Sequence, residues 1–288
     1  MKTLKIGNKT FELGKRTIIM GILNVTPDSF SDGGKFYSLE KAVDHAIFME
    51  KNGADIIDIG GESTRPGAEN VTLEQEIDRV VPVIEQLAGK IHIPISIDTY
   101  KSKVAKTALE LGADMVNDIT ALRGDKILAN LVVEYDVPIC LMHMKGNPRN
   151  MQVNPDYDDV VKEIHDFLKE RAEYALLCDI KKDKIIIDPG IGFGKRTGRG
   201  MEDNCEILRR LSELKDLDYP ILVGASRKAF IGNICGKDKQ LPVTERLEGS
   251  LAAACIAVMN GADIVRVHDV KETRRCTDLI DRIVRQLI

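Results

Sequence analysis

The strings NGADIIDI (52–59), LGADMVNDI (111–119) and NGADIVRV (260–267) repeat one pattern along the chain. Each predicts the end of a helix, a glycine that stops the helix, and then a short strand rich in branched apolar residues. Strands that alternate with helices in this way are typical of α/β folds with a parallel sheet. The repeated helix-to-strand junction therefore predicts an α/β fold.

Eight short, mostly apolar runs are predicted strands, and continuous apolar character suits strands that are covered on both faces. They are Thr17–Asn24, Asp55–Ile59, Ile95–Asp98, Met115–Asp118, Val137–His143, Ile185–Asp188, Ile221–Gly224 and Ile264–His268. The predicted helices are Leu39–Asn52, Leu73–Ala88, Lys101–Leu111, Asp125–Tyr135, Tyr157–Leu177, Glu202–Leu214, Thr244–Asn260 and Val270–Leu287. Eight βα units favour a closed (β/α)8 barrel, or TIM barrel, over an open doubly wound sheet.

Local signals support these boundaries and define the N-terminus. Ser38 is a plausible helix cap, Gly53 and Gly112 are predicted helix stops, and three prolines open strands (Pro94, Pro138 and Pro220). The segment Leu4–Leu13, with a turn at Gly7–Asn8, predicts a short N-terminal hairpin that closes the floor of the barrel. Because no linker or low-complexity stretch divides the chain, we expect one domain over residues 1–288.

Composition limits the classes of function. The 288 residues are 43% hydrophobic and 30% charged, with a net charge of −4, and no basic stripe with interleaved aromatics predicts a nucleic-acid partner. The polar segment Met1–Gly14 does not resemble a signal peptide, and no apolar run predicts a membrane span, so we expect a cytoplasmic protein. The six cysteines form no CxxC pair and are predicted to be reduced, buried thiols; a zinc site is disfavoured.

Polar residues end every predicted strand. They are Asn24, Asp58, Asp98, Asn117, His143, Asp188, Ser226 to Lys228, Arg266 and His268. Any one of them could simply cap a helix or begin a loop. Together they would converge at the C-terminal mouth of the barrel, where such enzymes bind and react.

The glycine-rich loops do not match nucleotide-binding or hydrolase motifs. In DPGIGFGK (188–195) the spacing of Gly190 and Gly194 is wrong for a phosphate-binding P-loop, and Lys195 stands where a dinucleotide motif needs glycine. In GASRK (224–228), Lys228 replaces the second glycine of a nucleophile elbow.

Two long loops rich in Gly, Pro, Ser and Asp follow the first two strands. They are NVTPDSFSDGG (24–34) and GGESTRPGA (60–68). Either could be a tolerated surface loop, but both carry groups suited to handling charge, and mobile loops at this face of a barrel often close over substrate.

These loops, with SIDTYKS (96–102), VNDI (116–119), DPGIGFGK, GASRK and RVHDV (266–270), resemble the dihydropteroate synthase family in the same order over nearly the whole chain. The resemblance implies a (β/α)8 barrel that joins 6-hydroxymethyl-7,8-dihydropterin pyrophosphate to p-aminobenzoate and releases pyrophosphate. It also implies Mg²⁺ as cofactor and a homodimer. We expect the two long loops to order on the pterin substrate before p-aminobenzoate binds.

The resemblance also implies roles for individual residues. The pterin edge, with N–H donors beside ring acceptors, would be read by Asp98, Asn117, Asp188 and Lys228. Pyrophosphate would be bound by Arg266 and His268, and Mg²⁺ by Asn24. The p-aminobenzoate pocket would be framed by Phe30, Thr64, Arg65, Pro66, Ser226 and Arg227. The implied catalytic set is Asp98, Asp188, Lys228, Arg266 and His268.

One stretch departs from the family pattern. KRTGRGMEDN (195–204) has extra basic and glycine residues where a helix is expected to begin soon after the lysine. Two other functions remain open from the sequence: a pterin-dependent methyltransferase domain, which shares the barrel and the Asp/Asn pocket, and a paralogue that binds pterin without condensing it.

Overall fold

Eight parallel strands form the centre of the molecule, preceded by a two-stranded antiparallel hairpin. The computed structural model describes residues 2–26, 34–63, 71–147, 150–198, 202–236 and 239–285. The hairpin strands are β1 (Thr3–Ile6) and β2 (Lys9–Glu12). The barrel strands are β3 (Ile18–Asn24), β4 (Ile56–Gly60), β5 (Ile95–Asp98), β6 (Met115–Asp118), β7 (Ile139–Met142), β8 (Ile185–Asp188), β9 (Leu222–Val223) and β10 (Ile264–Val267).

Helices connect these strands on the outside of the sheet. They are α1 (Gly34–Lys51), α2 (Leu73–Leu87), α3 (Ser102–Glu110), α4 (Ile127–Glu134), α5 (Val160–Leu177), α6 (Asp203–Arg209), α7 (Ala229–Cys235), α8 (Leu247–Met259) and α9 (Val270–Val284). Short 3₁₀ turns lie at Lys182–Lys184, Leu211–Leu217 and Val243–Glu245. No helix within these described ranges combines the length and apolar character needed to cross a bilayer.

The sheet closes on itself. Strands pair in the order β8, β7, β6, β5, β4, β3, β10, β9, all in parallel, so the first barrel strand pairs with the last. A single bridge between Ile187 and Ile221 joins β8 to the short β9, and Ile187 N donates to Pro220 O at 3.0 Å. This closure confirms the predicted (β/α)8 barrel.

The two faces of the strands build separate cores, because alternate side chains point to opposite faces. Outward-facing residues such as Ile57, Ile97 and Leu141 pack with the helices in one large cluster. Inward-facing residues near the strand starts form a second cluster inside the barrel; its members include Met20, Ile56, Met115, Cys140, Ile186, Leu222 and Ile264. The strands are therefore apolar on both faces over most of their length, as their sequences predicted.

The N-terminal hairpin closes the bottom of the barrel, as expected. Its strands pair from Thr3–Glu12 to Ile6–Lys9, and Gly7 takes a φ of +54° in the turn. Leu4 and Ile6 are fully buried against the inward-facing cluster. The hairpin thus seals the end of the barrel opposite the strand C-termini.

Several boundaries differ from the sequence-based predictions. Helix α1 begins at Gly34, so Ser38 lies inside it and is not its cap. The predicted helix Glu202–Leu214 is α6 followed by a 3₁₀ turn, and α7 was not predicted, because a seven-residue helix is too short to show a clear period. Of the six cysteines, which carry free thiols, only Cys140 is buried, so the prediction of buried thiols was wrong for the others.

The atypical stretch after Lys195 delays the next helix. Helix α6 begins at Asp203. The Asp203 carboxylate accepts a hydrogen bond from Arg196 N at 2.7 Å and forms an ion pair with the Arg196 guanidinium. Asn204 Oδ1 accepts from Gly192 N at 2.7 Å. These hydrogen bonds connect the start of α6 to the glycine-rich loop that follows β8.

Candidate active site

The inward-facing positions of the barrel strands change from apolar to polar toward their C-terminal ends. Two residues after four apolar members of the inner cluster, on the same face of the strand, comes a polar residue. The pairs are Ile56 and Asp58, Met115 and Asn117, Ile186 and Asp188, and Ile264 and Arg266. The sheet register also places Asp98 beside Asn117. The polar residues predicted from the strand ends therefore meet above a sealed apolar floor.

Asp58 and Arg266 are the centre of a buried network. The Arg266 guanidinium donates through Nε to Asp58 Oδ2 at 2.6 Å and through Nη2 to Asp98 Oδ2 at 2.7 Å. Asn117 Nδ2 donates to the same Asp58 oxygen at 3.0 Å. The Asp58 side chain is fully buried, and the pKa of Arg266 is raised further by the two carboxylates. Arg266 thus joins strands β4, β5 and β10 across the mouth.

Two carboxylates of the pocket, Asp98 and Asp188, have raised pKa values. Burial raises the pKa of Asp98 to about 7, with Arg266 opposing the shift and Asp58 adding to it. Burial raises the pKa of Asp188 to about 6, opposed by the hydrogen bond from Gly190 N at 2.7 Å and by the charge of Lys228. Perturbed carboxylates that share a concave, polar mouth are typical of functional sites.

Lys228 lies at the N-terminus of α7. Its Nζ is 4.1 Å from the centroid of the Phe193 ring, a cation–π distance. Its positive charge lowers the pKa of both Asp98 and Asp188. The structure therefore brings together the four residues expected to read a pterin.

Ser226 and His268 form a second polar group on the β9 and β10 side. The Ser226 hydroxyl accepts from His268 N at 3.2 Å and lies 3.0 Å from His268 Nδ1. The hydroxyl can donate to Nδ1, and in that pairing the ring proton lies on Nε2. Burial, aided by the Arg227 and Arg266 charges, lowers the pKa of His268 to about 3. His268 is thus a neutral hydrogen-bond donor.

Arg227 is paired with the carboxylate of Asp269. Its Nε donates to Asp269 Oδ2 at 3.0 Å, and its Nη2 binds the other Asp269 oxygen. The residue has a φ of +57°, in the left-handed region that side chains rarely adopt. Arg246 binds its carbonyl oxygen at 2.9 Å and fixes this turn.

Asn24 ends β3 at the same mouth, where it pairs in register with Gly60 and is partly exposed. The other residues expected to frame the second-substrate pocket, Phe30, Thr64, Arg65 and Pro66, lie outside the described residues, as do 27–33 and 64–70 of the two long loops. Within the described ranges, no group of three or more His, Cys, Asp and Glu side chains could hold a metal ion.

Two buried features at the site received no role from the sequence. Asp58 has the position of a strand end in the sequence, but a carboxylate inside the apolar run IIDI signals a buried partner. Lys195 fits no nucleotide-binding motif, yet it is 1% exposed and its Nζ lies 3.0 Å from His143 Nδ1. Sequence spacing could not reveal this contact, because 52 positions separate the two residues.

Comparisons with known proteins agree with this geometry. The family model of pterin binding enzymes matches residues 20–268. A dihydropteroate synthase from Clostridium beijerinckii is 49% identical over 284 residues, which cover 98% of this chain and 100% of that protein.

Solved structures give the same result. A dihydropteroate synthase from Clostridium difficile, crystallised with pteroic acid, superposes with a TM-score of 0.88 at 50% identity and covers 96% of this chain and 99% of that one. The Xanthomonas albilineans enzyme with 4-aminobenzoic acid gives a TM-score of 0.90 at 42% identity, covering 100% and 99%. The chain therefore belongs to the dihydropteroate synthase family of pterin-binding enzymes.

Proposed function

We infer that the chain catalyses the reaction of its family, the condensation of 6-hydroxymethyl-7,8-dihydropterin pyrophosphate with p-aminobenzoate to give 7,8-dihydropteroate and pyrophosphate. The chain is a transferase with small-molecule substrates. The observation that carries the assignment of the site is the convergence of Asp98, Asn117, Asp188 and Lys228 above the barrel floor. Relatives named as synthases over their full length favour this reaction over a corrinoid-linked methyl transfer.

The pterin binds, in this proposal, with its N–H donors on Asp188 and Asp98 and its ring acceptors facing Asn117 and Lys228. Each carboxylate supplies only acceptors when ionised, and each ammonium or amide N–H supplies donors. Charge-assisted bonds of this kind contribute about 1.5–3 kcal/mol each. The raised pKa values of the two aspartates support a ligand-binding role, because they show that burial is not fully offset within the protein.

Arg266 and His268 are proposed to bind the pyrophosphate. His268 offers the Nε2–H of a neutral ring, and Arg266 offers whatever donors remain beside its bonds to Asp58 and Asp98. As the C–O bond breaks, the electron pair leaves with pyrophosphate and the methylene carbon becomes cationic. Asp98 and Asp188 stabilise that positive charge, and the aromatic amine of p-aminobenzoate attacks the carbon and then loses a proton to solvent. Ser226 and Arg227, with Phe30, Thr64, Arg65 and Pro66, are proposed to frame the p-aminobenzoate pocket.

Mg²⁺ is proposed as the cofactor. Asn24 supplies one amide oxygen at the mouth, and Mg²⁺ in such sites keeps several waters and takes its other ligands from substrate phosphates. A bound Mg²⁺ would supply neutralisation of the charge that develops on the leaving pyrophosphate. Replacement of Asn24 by alanine should then raise the Mg²⁺ concentration required for half-maximal activity without changing the binding of an uncharged pterin.

A cytoplasmic homodimer is proposed as the working form. The support is a group of exposed apolar side chains on the neighbouring helices α8 and α9, namely Ile256, Met259, Leu279 and Ile283. Exposed apolar surface on a barrel helix is typical of a subunit interface.

Purified protein with both substrates and Mg²⁺ tests the assignment. We expect equal molar yields of dihydropteroate and pyrophosphate. Tight pterin binding without product would identify a non-catalytic pterin-binding protein, and methyl transfer from a methylated pterin would identify the alternative enzyme.

A further inference from the structure

Lys195 is a lysine only 1% exposed beside the pocket, and the proposed mechanism does not use it. It ends the DPGIGFGK loop after β8, and its side chain turns back into that loop. Nζ donates to Gly190 O and to Phe193 O, both at 2.9 Å, and lies 3.0 Å from His143 Nδ1. Within the described part of the chain, no carboxylate lies within ion-pairing distance of this ammonium.

The number of partners matches the chemistry of an ammonium group. A lysine ammonium has three N–H donors and no acceptor, and the three neighbouring atoms can all accept. This pattern requires the lone pair of His143 on Nδ1 and its proton on Nε2. His143 is suited to the neutral form, because burial and the Lys195 charge hold its pKa well below the ordinary value. Its ring is fixed edge-on against Phe167 at 4.8 Å.

The loop that Lys195 contacts is tightly turned. Gly190, Gly192 and Gly194 all have positive φ, and a Cβ at Gly190 would lie 1.9 Å from His143 O. The turn directs the carbonyl oxygens of residues 190 and 193 to the interior, where an unpaired carbonyl is costly. Gly190 O also accepts from Phe193 N at 3.1 Å, so Lys195 is a second donor to Gly190 O and the donor to Phe193 O.

The same loop carries two contacts of the pterin pocket. Gly190 N–H donates to Asp188 Oδ1 at 2.7 Å, and the Phe193 ring lies under the Lys228 ammonium. We propose that Lys195 is a positioning residue for the reaction: by binding Gly190 O, Phe193 O and His143, it fixes the loop so that Asp188 and Lys228 face the pterin. This inference rests on the proposed pterin site and adds a residue to it.

The charge of Lys195 also acts on Asp188. It lowers the pKa of that carboxyl, and Asp188 in turn raises the pKa of Lys195, which burial lowers to about 7. Loss of the ammonium would therefore both loosen the loop and favour the protonated, weaker-accepting form of Asp188.

The test compares Lys195→Met, which keeps most of the side-chain volume but no donor, with Lys181→Met, a change at an exposed surface lysine. Calorimetric titration with a pterin analogue should show an affinity about tenfold or more lower for Lys195→Met and unchanged for Lys181→Met. The KM for pterin pyrophosphate should rise, whereas the KM for p-aminobenzoate at saturating pterin should stay the same. A purely structural lysine would lower the amount of folded enzyme and leave these constants unchanged.

His143 gives a second, milder test in case Lys195→Met does not fold. His143→Asn keeps an acceptor near Nδ1, and His143→Leu removes it, while both lose the ring contact with Phe167. We expect weaker pterin binding in His143→Leu than in His143→Asn. Equal affinities across this pair, or a wild-type affinity for Lys195→Met, would overturn the inference. Failure of the wild-type protein to bind the pterin would instead overturn the proposed function.

Discussion

Asp188 is the residue on which the proposed pterin site depends most directly. It is buried, accepts one backbone hydrogen bond from Gly190, and lies within the field of Lys228. Asp188→Asn keeps the shape but replaces a charged acceptor by a neutral amide. We expect pterin-analogue binding to weaken by about 1.5–3 kcal/mol per lost charge-assisted bond. Calorimetry on the variant, with the surface change Asp136→Asn as control, measures this, and an unchanged affinity would remove Asp188 from the site.

The pH dependence of binding follows from the same carboxylates. Their folded-state pKa values are raised, to about 6 for Asp188 and about 7 for Asp98, so protons leave them as the pH rises through that window. Only the ionised form accepts from both pterin N–H groups. Affinity for a pterin analogue that does not itself titrate in this range should therefore rise from below pH 6 as the two aspartates ionise, and it should fall again above pH 7, where Lys195, whose pKa burial lowers to about 7, loses its proton. The lower step should vanish in Asp188→Asn; a flat profile in the wild type would contradict the assignment.

Arg266 is proposed to bind pyrophosphate, and it also pairs with two buried carboxylates. The family resemblance implied a role for Arg266 at the pyrophosphate alone, and loss of that role alone would spare the binding of a neutral pterin. The ion pairs with Asp58 and Asp98 change that expectation. Removal of one partner of a buried ion pair costs about 3–5 kcal/mol, because the other charges stay buried.

Arg266→Ala should accordingly lower the denaturant midpoint and weaken both pyrophosphate and pterin binding. The double variant Asp58→Asn/Arg266→Ala removes one stranded charge and should recover part of the stability. Chemical denaturation of the two variants beside wild type measures the difference. Full stability in Arg266→Ala would show that the network contributes little.

The sequence allowed us to predict which polar residues meet, but not how they pair. Asp98, Asn117, Asp188 and Arg266 could be predicted from their positions at strand ends, since parallel strands bring those ends to one mouth. The pairing of Arg266 with Asp58 spans 208 positions and depends on the closure of the barrel. The Lys195 contacts depend on three left-handed glycines, which no periodicity indicates.

Among the elements, the strands were predicted best, because both of their faces are apolar for most of their length. The observed strand ends differ from the predicted ends by one or two residues where hydrogen bonding, and not burial, sets the boundary, as in Leu222–Val223. Helices were predicted wherever a long apolar stripe exists, as in α2, which begins with a capping box at Thr72 and Gln75. The short α7 carries Lys228 at its N-terminus and was missed.

The hairpin is the element whose contribution can be measured apart from the chemistry. Leu4 is fully buried inside the barrel floor, at the end opposite the site. Leu4→Ala should destabilise the protein by about 2–5 kcal/mol through lost burial and a residual cavity. Pterin affinity of the folded variant should stay at the wild-type value, because the cavity opens far from the strand C-termini. Leu177→Ala, at a leucine that is 84% exposed, should change stability by no more than about 0.5 kcal/mol. A loss of pterin affinity in Leu4→Ala would show that the floor and the mouth are coupled.

For the whole molecule, closure of the barrel separates stability from function. The apolar inner cluster and the hairpin occupy one end, and the polar network occupies the other. Alternating strands and helices made this architecture predictable, because few other arrangements bury eight two-sided apolar strands. The outer faces of the helices take part in neither the apolar floor nor the polar network, and they are the surfaces on which a second subunit could bind.

The proposed homodimer makes a prediction about α8 and α9. Leu279 and Ile283 lie one helical turn apart on α9, with exposed fractions of 63% and 61%, beside Ile256 and Met259 of α8. If this face is the subunit interface, Leu279→Glu/Ile283→Glu places two charges in an apolar contact, and their burial would be strongly unfavourable. Sedimentation should show wild type at twice the 32.0 kDa chain mass and the double variant at the chain mass, with Leu177→Glu as a control that stays dimeric. The variant should remain folded, since both leucine and isoleucine are already exposed in the single chain. A wild type that sediments as a monomer at micromolar concentration, or a dimeric double variant, would exclude this face as the interface.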